Sequence, residues 1–192
     1  MKEKLSRLVS VNGTLPRSVN LERDAGDLRI LEAYRLTGKT LEIVDRAAWV
    51  LAEGKTGAWS LTGPYGMGKT AFLKFLVDLA GPTESKAGAM ALRRLRDRDR
   101  KVFAAWNRGA TASKARKRGF FRVPVTASFE PVNRTLAQGL ERAVVEQFGL
   151  FPVGACEGVL ARVAAVSRKE SPDTRELLEL FDEIAGSGGA PE

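Results

Sequence analysis

Gly63-Pro64-Tyr65-Gly66-Met67-Gly68-Lys69-Thr70 is the stretch that decides how this chain is read. It spells G-x-x-x-x-G-K-T, the Walker A or P-loop pattern. The short run before it, Ala58-Trp59-Ser60-Leu61-Thr62, has the length of a strand. The run after it, Ala71 to Leu79, carries Phe72, Leu73, Phe75, Leu76 and Leu79 and reads as a helix that is apolar on several sides. Strand, glycine-rich loop and helix is the context the pattern requires.

The residue types explain the chemistry. Glycines let the backbone curl and aim several N–H groups at one point, which makes a nest for an anion. Gly63, Gly66 and Gly68 supply that freedom, and Pro64 shapes the turn between Tyr65 and Met67 and the preceding run. The start of the following helix, from Lys69 through Ala71, adds free N–H groups and the positive end of the helix dipole. Lys69 is placed to reach the β- and γ-phosphates of a nucleotide, and the Thr70 hydroxyl to bind Mg²⁺. ATP with Mg²⁺ is the expected ligand. GTP is disfavoured because no N-K-x-D base-reading motif follows the loop.

Length and composition bound the rest. A chain of 192 residues with 44% hydrophobic content can build one domain with an appendage. One cysteine, Cys156, excludes an internal disulfide and suits a reducing, cytoplasmic setting. With no histidine, His-based triads and His-ligated metal sites are excluded. The first residues lack the apolar segment of a signal peptide, and no run approaches the ~20 apolar residues of a membrane span. The net charge of +8 is concentrated: residues 93–118 hold eleven Lys or Arg against two Asp, and the remainder carries 20 basic and 21 acidic residues. Such a footprint suits nucleic acid, with Phe103 and Trp106 near it for stacking, or an acidic protein partner.

Taken in order, residues 1–57 read as a preamble. Pro16 to Arg23 alternates as an extended segment, Asp24 to Tyr34 reads as a short helix, and Thr40 caps a better one running to Gly54. Residues 58–186 form the main domain. Within it, 83–119 reads as a basic insertion, with one helix over Ala87–Trp106 and a loop over Asn107–Ser113. Phe121 to Ala127 alternates and reads as a strand, at a sheet edge because Pro124 lacks an N–H. Helices follow around Leu136–Phe148, around Val159–Val166, and from the Ser171-Pro172 cap through Ile184. The tail 187–192 reads as disordered.

The stretch Trp59 to Phe72, behind its helical preamble, resembles the P-loop of bacterial AAA-type and STAND-like ATPases. The resemblance implies an α/β fold, a three-layer P-loop NTPase sandwich around a parallel sheet. It also implies a Walker B strand ending in Asp-Glu, and Leu178-Glu179-Leu180-Phe181-Asp182-Glu183 is the candidate. Asp182 would help hold the metal and Glu183 polarise the attacking water. The apolar spacing around them is helical, which makes a solvated helix face the competing reading. On that reading the chain stops short of the catalytic strand, and ATP binding with little or no turnover is the expectation.

Three functions compete. The first is the ATP-binding domain of such an ATPase, acting alone or as a homo-oligomer. The second is a small P-loop kinase or phosphotransferase, which the long preamble and the lack of an acidic acceptor-binding motif disfavour. The third is a nucleic-acid-binding module, through 93–118, with a regulatory P-loop.

Overall fold

The computed structural model describes residues 18–55, 57–127, 129–148, 157–169 and 172–187. Cys156, the Ser171 cap, Pro16 and Arg17, and the tail from Gly188 lie outside the described residues. Every regular element among the described residues is a helix. In chain order they are α1 (Leu28–Ala33), α2 (Gly38–Ala52), α3 (Lys69–Leu79), α4 (Lys86–Arg98), α5 (Arg100–Ala112), α6 (Val132–Phe148), α7 (Glu157–Ser167) and α8 (Thr174–Ser187). No strand or sheet occurs among these residues, which corrects the expected parallel-sheet sandwich.

The two runs expected to be strands show why. Both are irregular, and neither forms a strand ladder among the described residues, because a strand exists only where another backbone completes its ladder. Residues 58–62 lie beside α2 instead. The Trp59 ring stacks under the Arg46 guanidinium at 5.1 Å, and Leu61 packs on the first core. In 121–127 side chains take the place of a neighbouring strand. Gln147 of α6 accepts from the Arg122 N–H at 3.1 Å and donates to its carbonyl at 2.6 Å. Glu22 accepts from the Thr126 N–H at 2.7 Å. The alternation read from the sequence is real, but Val123 and Val125 meet a helix: a Cβ on Gly139 of α6 would lie 2.6 Å from Val125 Cγ2. Pro124 therefore sits in a connector, not at a sheet edge.

Helix boundaries follow from capping. Thr37 and Thr40 form a reciprocal box at the start of α2, each hydroxyl accepting from the other's backbone N–H. Thr40 is thus the third helical residue and not the cap. Asp99 splits the expected long basic helix in two. Its backbone is extended, and its carboxylate accepts from the N–H groups of Lys101 and Val102 at 2.9 and 3.1 Å. The loop expected over 107–113 is instead the second half of α5, which ends at Ala112.

Two hydrophobic cores result. The first joins Leu31, Leu36, Val44, Ala48, Phe72, Phe75, Leu79, Leu95, Val102 and Trp106 from α1 to α5 and the α1–α2 link. The second joins Leu140, Val144, Val163, Val166, Leu177, Leu180 and Ile184 from α6 to α8. The connector serves both: Phe120 packs on the first, edge-on to Trp106 at 6.3 Å, and Phe121 on the second. Arg94 and Arg98, one turn apart on α4, donate to the carbonyls of Tyr34 and Leu36 at 2.5 and 3.1 Å and so hang α4 on the α1–α2 link. No described helix is long and apolar enough to cross a membrane.

Helix α5 packs closely on α2. Gly109 is buried there, and a Cβ on it would lie 2.6 Å from the Ala48 carbonyl oxygen and 3.2 Å from Leu51 Cβ. Helix propensity alone favours Ala over Gly by about 1 kcal/mol. Gly109→Ala should nevertheless destabilise the chain, by about 1–3 kcal/mol, since a backbone atom cannot move aside as a side chain can. Gly38→Ala, where a Cβ meets nothing within 4 Å, is the control and should be neutral or stabilising. Urea melts of the two variants decide it; a stabilised Gly109→Ala would mean that α2 and α5 do not meet there.

Candidate phosphate-binding loop

The loop is built by two left-handed residues and one helix start. Gly66 has φ +83° and Gly68 φ +77°, a region L-residues with a Cβ avoid. Gly68 is the N-cap of α3, and being glycine it provides no side-chain acceptor for the first-turn amides. The N–H groups at the head of α3 therefore face out of the loop together with the positive end of the dipole. Gly63, Pro64, Tyr65 and Met67 are all exposed, Tyr65 at 96% and Met67 at 72%. Thr70 and Ala71 are half-buried in the first turn of α3.

Lys69 folds back over this loop. Its Nζ donates to the carbonyls of Gly63 and Pro64 at 2.8 and 2.7 Å. An ammonium has three donors, so one remains for a ligand while two hold the charge in place. Cation, helix start and glycine turn thus converge on one side of the loop. Their donor set fits a polyphosphate, and the Thr70 hydroxyl fits a metal riding on it. Gly57 to Gly68 are exposed throughout except for half-buried Leu61. Among the described residues the loop therefore stands on an open surface, and its own residues build no wall around it.

The helix that carries the loop is rigidly seated. Phe72 and Phe75 are buried in the first core, with Tyr34 against both rings at 6.4 and 5.8 Å. On its other side α3 buries an ion pair, Lys74 with Asp78 one turn later, exposed by only 1% and 5%. Arg122 lies near Asp78 and donates to the Val77 carbonyl at 3.2 Å. Burial pushes the Asp78 carboxyl above its usual range, and Lys74 and Arg122 offset this only in part. Burial likewise lowers Arg122 from its ordinary value against the pull of Asp78 and Glu146.

The other residues singled out in the sequence lie elsewhere. Asp182 and Glu183 are on α8, in the second core's bundle. Asp182 is exposed, and Glu183 is ion-paired with Arg162 of α7. They stand on a helix and not at the end of a strand. Trp106 is buried at 5% exposure, so it cannot serve as a stacking surface, while Phe103 is half-buried. The signal for the Lys74–Asp78 pair is its i, i+4 spacing on an apolar helix, a spacing that also occurs on exposed faces.

No family model, curated protein or solved structure matches this chain. The resemblance to AAA-type and STAND-like ATPases is overturned by the architecture: eight helices and no strand among the described residues, where that family requires a sheet.

The ion pair generates a test of how α3 is held. Removing one partner of a buried pair strands the other charge and costs about 3–5 kcal/mol, whereas replacing both with apolar residues is often neutral or stabilising. Asp78→Ala should therefore lower stability by about that amount. Lys74→Met with Asp78→Leu should recover most of it, since desolvation already outweighs attraction at Asp78. Chemical denaturation of the three proteins reads this directly. A double variant as unstable as Asp78→Ala would show that the pair is a net source of stability.

Proposed function

We propose that residues 63–70 bind Mg·ATP through its phosphates. The observation that carries this reading is the convergence of the Lys69 ammonium on the loop beside the uncapped start of α3. Gly66, Gly68 and the amides of Lys69, Thr70 and Ala71 would hold phosphate oxygens, and Lys69 would neutralise them. Gly63, Pro64, Tyr65 and Met67 would frame the turn, with Thr70 as the protein's ligand to Mg²⁺. The magnesium ion would be held through the Thr70 hydroxyl and would supply positive charge to offset that of the phosphates.

The reading is of binding and not of hydrolysis. Turnover requires a group that orients water and others that stabilise transition-state charge. Asp182 and Glu183 stand on α8, in the bundle of the second core, and this reading assigns them no part in turnover. An open loop with no wall for a base also implies weak discrimination between purine nucleotides, so Mg·ATP and Mg·GTP should bind within a few-fold of each other.

A thermal-shift titration tests the site. Ligand at 100 times its dissociation constant stabilises the state that binds it by ~2.7 kcal/mol. The parent should show a clear rise in melting temperature with Mg·ATP, and Lys69→Ala none. Lys69 is anchored only to two exposed loop carbonyls, so its loss should leave the unliganded melt unchanged. Equal shifts in parent and variant would remove the loop from consideration.

A further inference from the structure

The basic stretch does not form one uniform surface. Arg94 and Arg98 are spent on the α1–α2 link, as described above. Arg93 and Arg96, three residues apart on α4, face a different way and line a cleft of about 580 Å³ between α4, α5 and the turn after α5. That turn brings Arg116 and Lys117 to the opposite wall. It is locked in place by its backbone: the Thr83 N–H donates to the Lys117 carbonyl at 3.1 Å, Gly119 to Ala115 at 2.8 Å, and Phe120 to Ala80 at 2.8 Å. Gly119 makes this approach possible, since at φ +76° a Cβ would lie 2.4 Å from the Gly81 carbonyl carbon.

Four cations thus face one cavity from two sides. Among the described residues the side chains of Arg93, Arg116 and Lys117 make no hydrogen bond or ion pair, and Arg96 contacts only its exposed neighbour Asp97, at 3.5 Å. One acidic residue, Glu84, shares the lining. Convergent unpaired cations repel one another, and an anion relieves that repulsion. The remaining lining is specific in kind. Phe103 presents a half-buried ring and Asn107 an amide able to donate and accept. The volume lies within the ~300–1,000 Å³ of small-ligand sites.

We infer that the α4–α5 cleft binds single-stranded nucleic acid, with the backbone phosphates on Arg93, Arg96, Arg116 and Lys117 and one unstacked base against Phe103 beside Asn107. A recessed site requires the ligand to send a planar group inward. A single strand can splay a base, whereas a duplex keeps its bases stacked and presents only its outer phosphates. The proposal does not rest on nucleotide binding at the loop, and its test is made without nucleotide.

The experiment is fluorescence anisotropy of the full chain with a labelled 20-residue oligothymidylate, at 50 and 200 mM salt. Four phosphate contacts on a single strand give a log–log salt slope of about −2.8, hence roughly 50-fold weaker binding at the higher salt. Arg93→Glu with Arg116→Glu should abolish binding. Arg100→Glu with Lys101→Glu changes net charge equally at exposed positions that do not line the cleft, and should weaken it far less. Phe103→Leu keeps an apolar side chain against the first core but removes the stacking face. It should weaken binding about 5- to 150-fold and leave the salt slope unchanged. All four positions chosen for charge reversal are exposed, and circular dichroism melts confirm that each variant is folded. The proposal is overturned by absent binding at 50 mM salt, by equal losses in the two charge-reversal variants, or by an unaffected Phe103→Leu. Equal or tighter binding of a duplex would make the surface a backbone reader, and equal binding of polyglutamate an acidic-protein surface; either result also overturns it.

Discussion

The contact of Gly109 with the Ala48 carbonyl governs how the first half of this chain is assembled. It allows α5 to lie directly on α2 with no side chain between the two backbones at that point. Asp99 ties α5 to α4, and Arg94 and Arg98 tie α4 back to the link between α1 and α2. The path closes on itself, with Phe72 and Phe75 of α3 inside it. The glycine loop is thereby mounted on a helix whose Phe72 and Phe75 are buried in that core, a scaffold suited to the binding proposed for it.

Two lysines five residues apart on α3 show how differently the fold treats the same side chain. Lys69 is held by carbonyls at the surface and keeps a donor to spare. Lys74 is removed from water with Asp78 as its partner, and burial holds the Asp78 carboxyl above its ordinary value despite the neighbouring cations. The first lysine can meet a ligand without rearrangement of the core. The second is paired within α3 itself, and the contact from outside the helix comes from Arg122, which lies near Asp78 and donates to the Val77 carbonyl. The guanidinium arginines of α4 divide in the same manner, one pair as backbone donors and another facing a cavity.

Much of this was legible in the sequence, and the two strand errors share one cause. Apolar spacing located α2, α3, α6 and α8, because a helix's hydrogen bonds are internal to the segment that shows the pattern. A strand's are not. The alternation over 121–127 correctly reported that Val123 and Val125 share a side, but could not say that Gly139 of α6 receives them or that Gln147 replaces a ladder neighbour. The expectation of a sheet rested on supplying partners from a family pattern. Asp99 has the side chain of a cap, but the apolar residues from Met90 to Trp106 read as one helix running across it. The glycine loop could be recognised from its own residues, yet the fold around it could not, since the motif constrains a turn and a helix start and leaves the remaining layers open. The charge of 93–118 was evident as well. Its division between structural and cleft-facing arginines depends on carbonyls at Tyr34 and Leu36, some sixty residues away in the chain.

The division of neighbours Phe120 and Phe121 between two cores has a consequence for cooperativity. The chain passes from one packed cluster to the other across a single peptide bond, and the connector is fastened largely by side-chain hydrogen bonds from Gln147 and Glu22. Each cluster can then open at its own free energy, as separate foldons do, and amide hydrogen exchange would sort α1–α5 and α6–α8 into two classes of protection. Whatever occupies the loop at the head of α3 would slow exchange in the first class, and the second would exchange as though the ligand were not there.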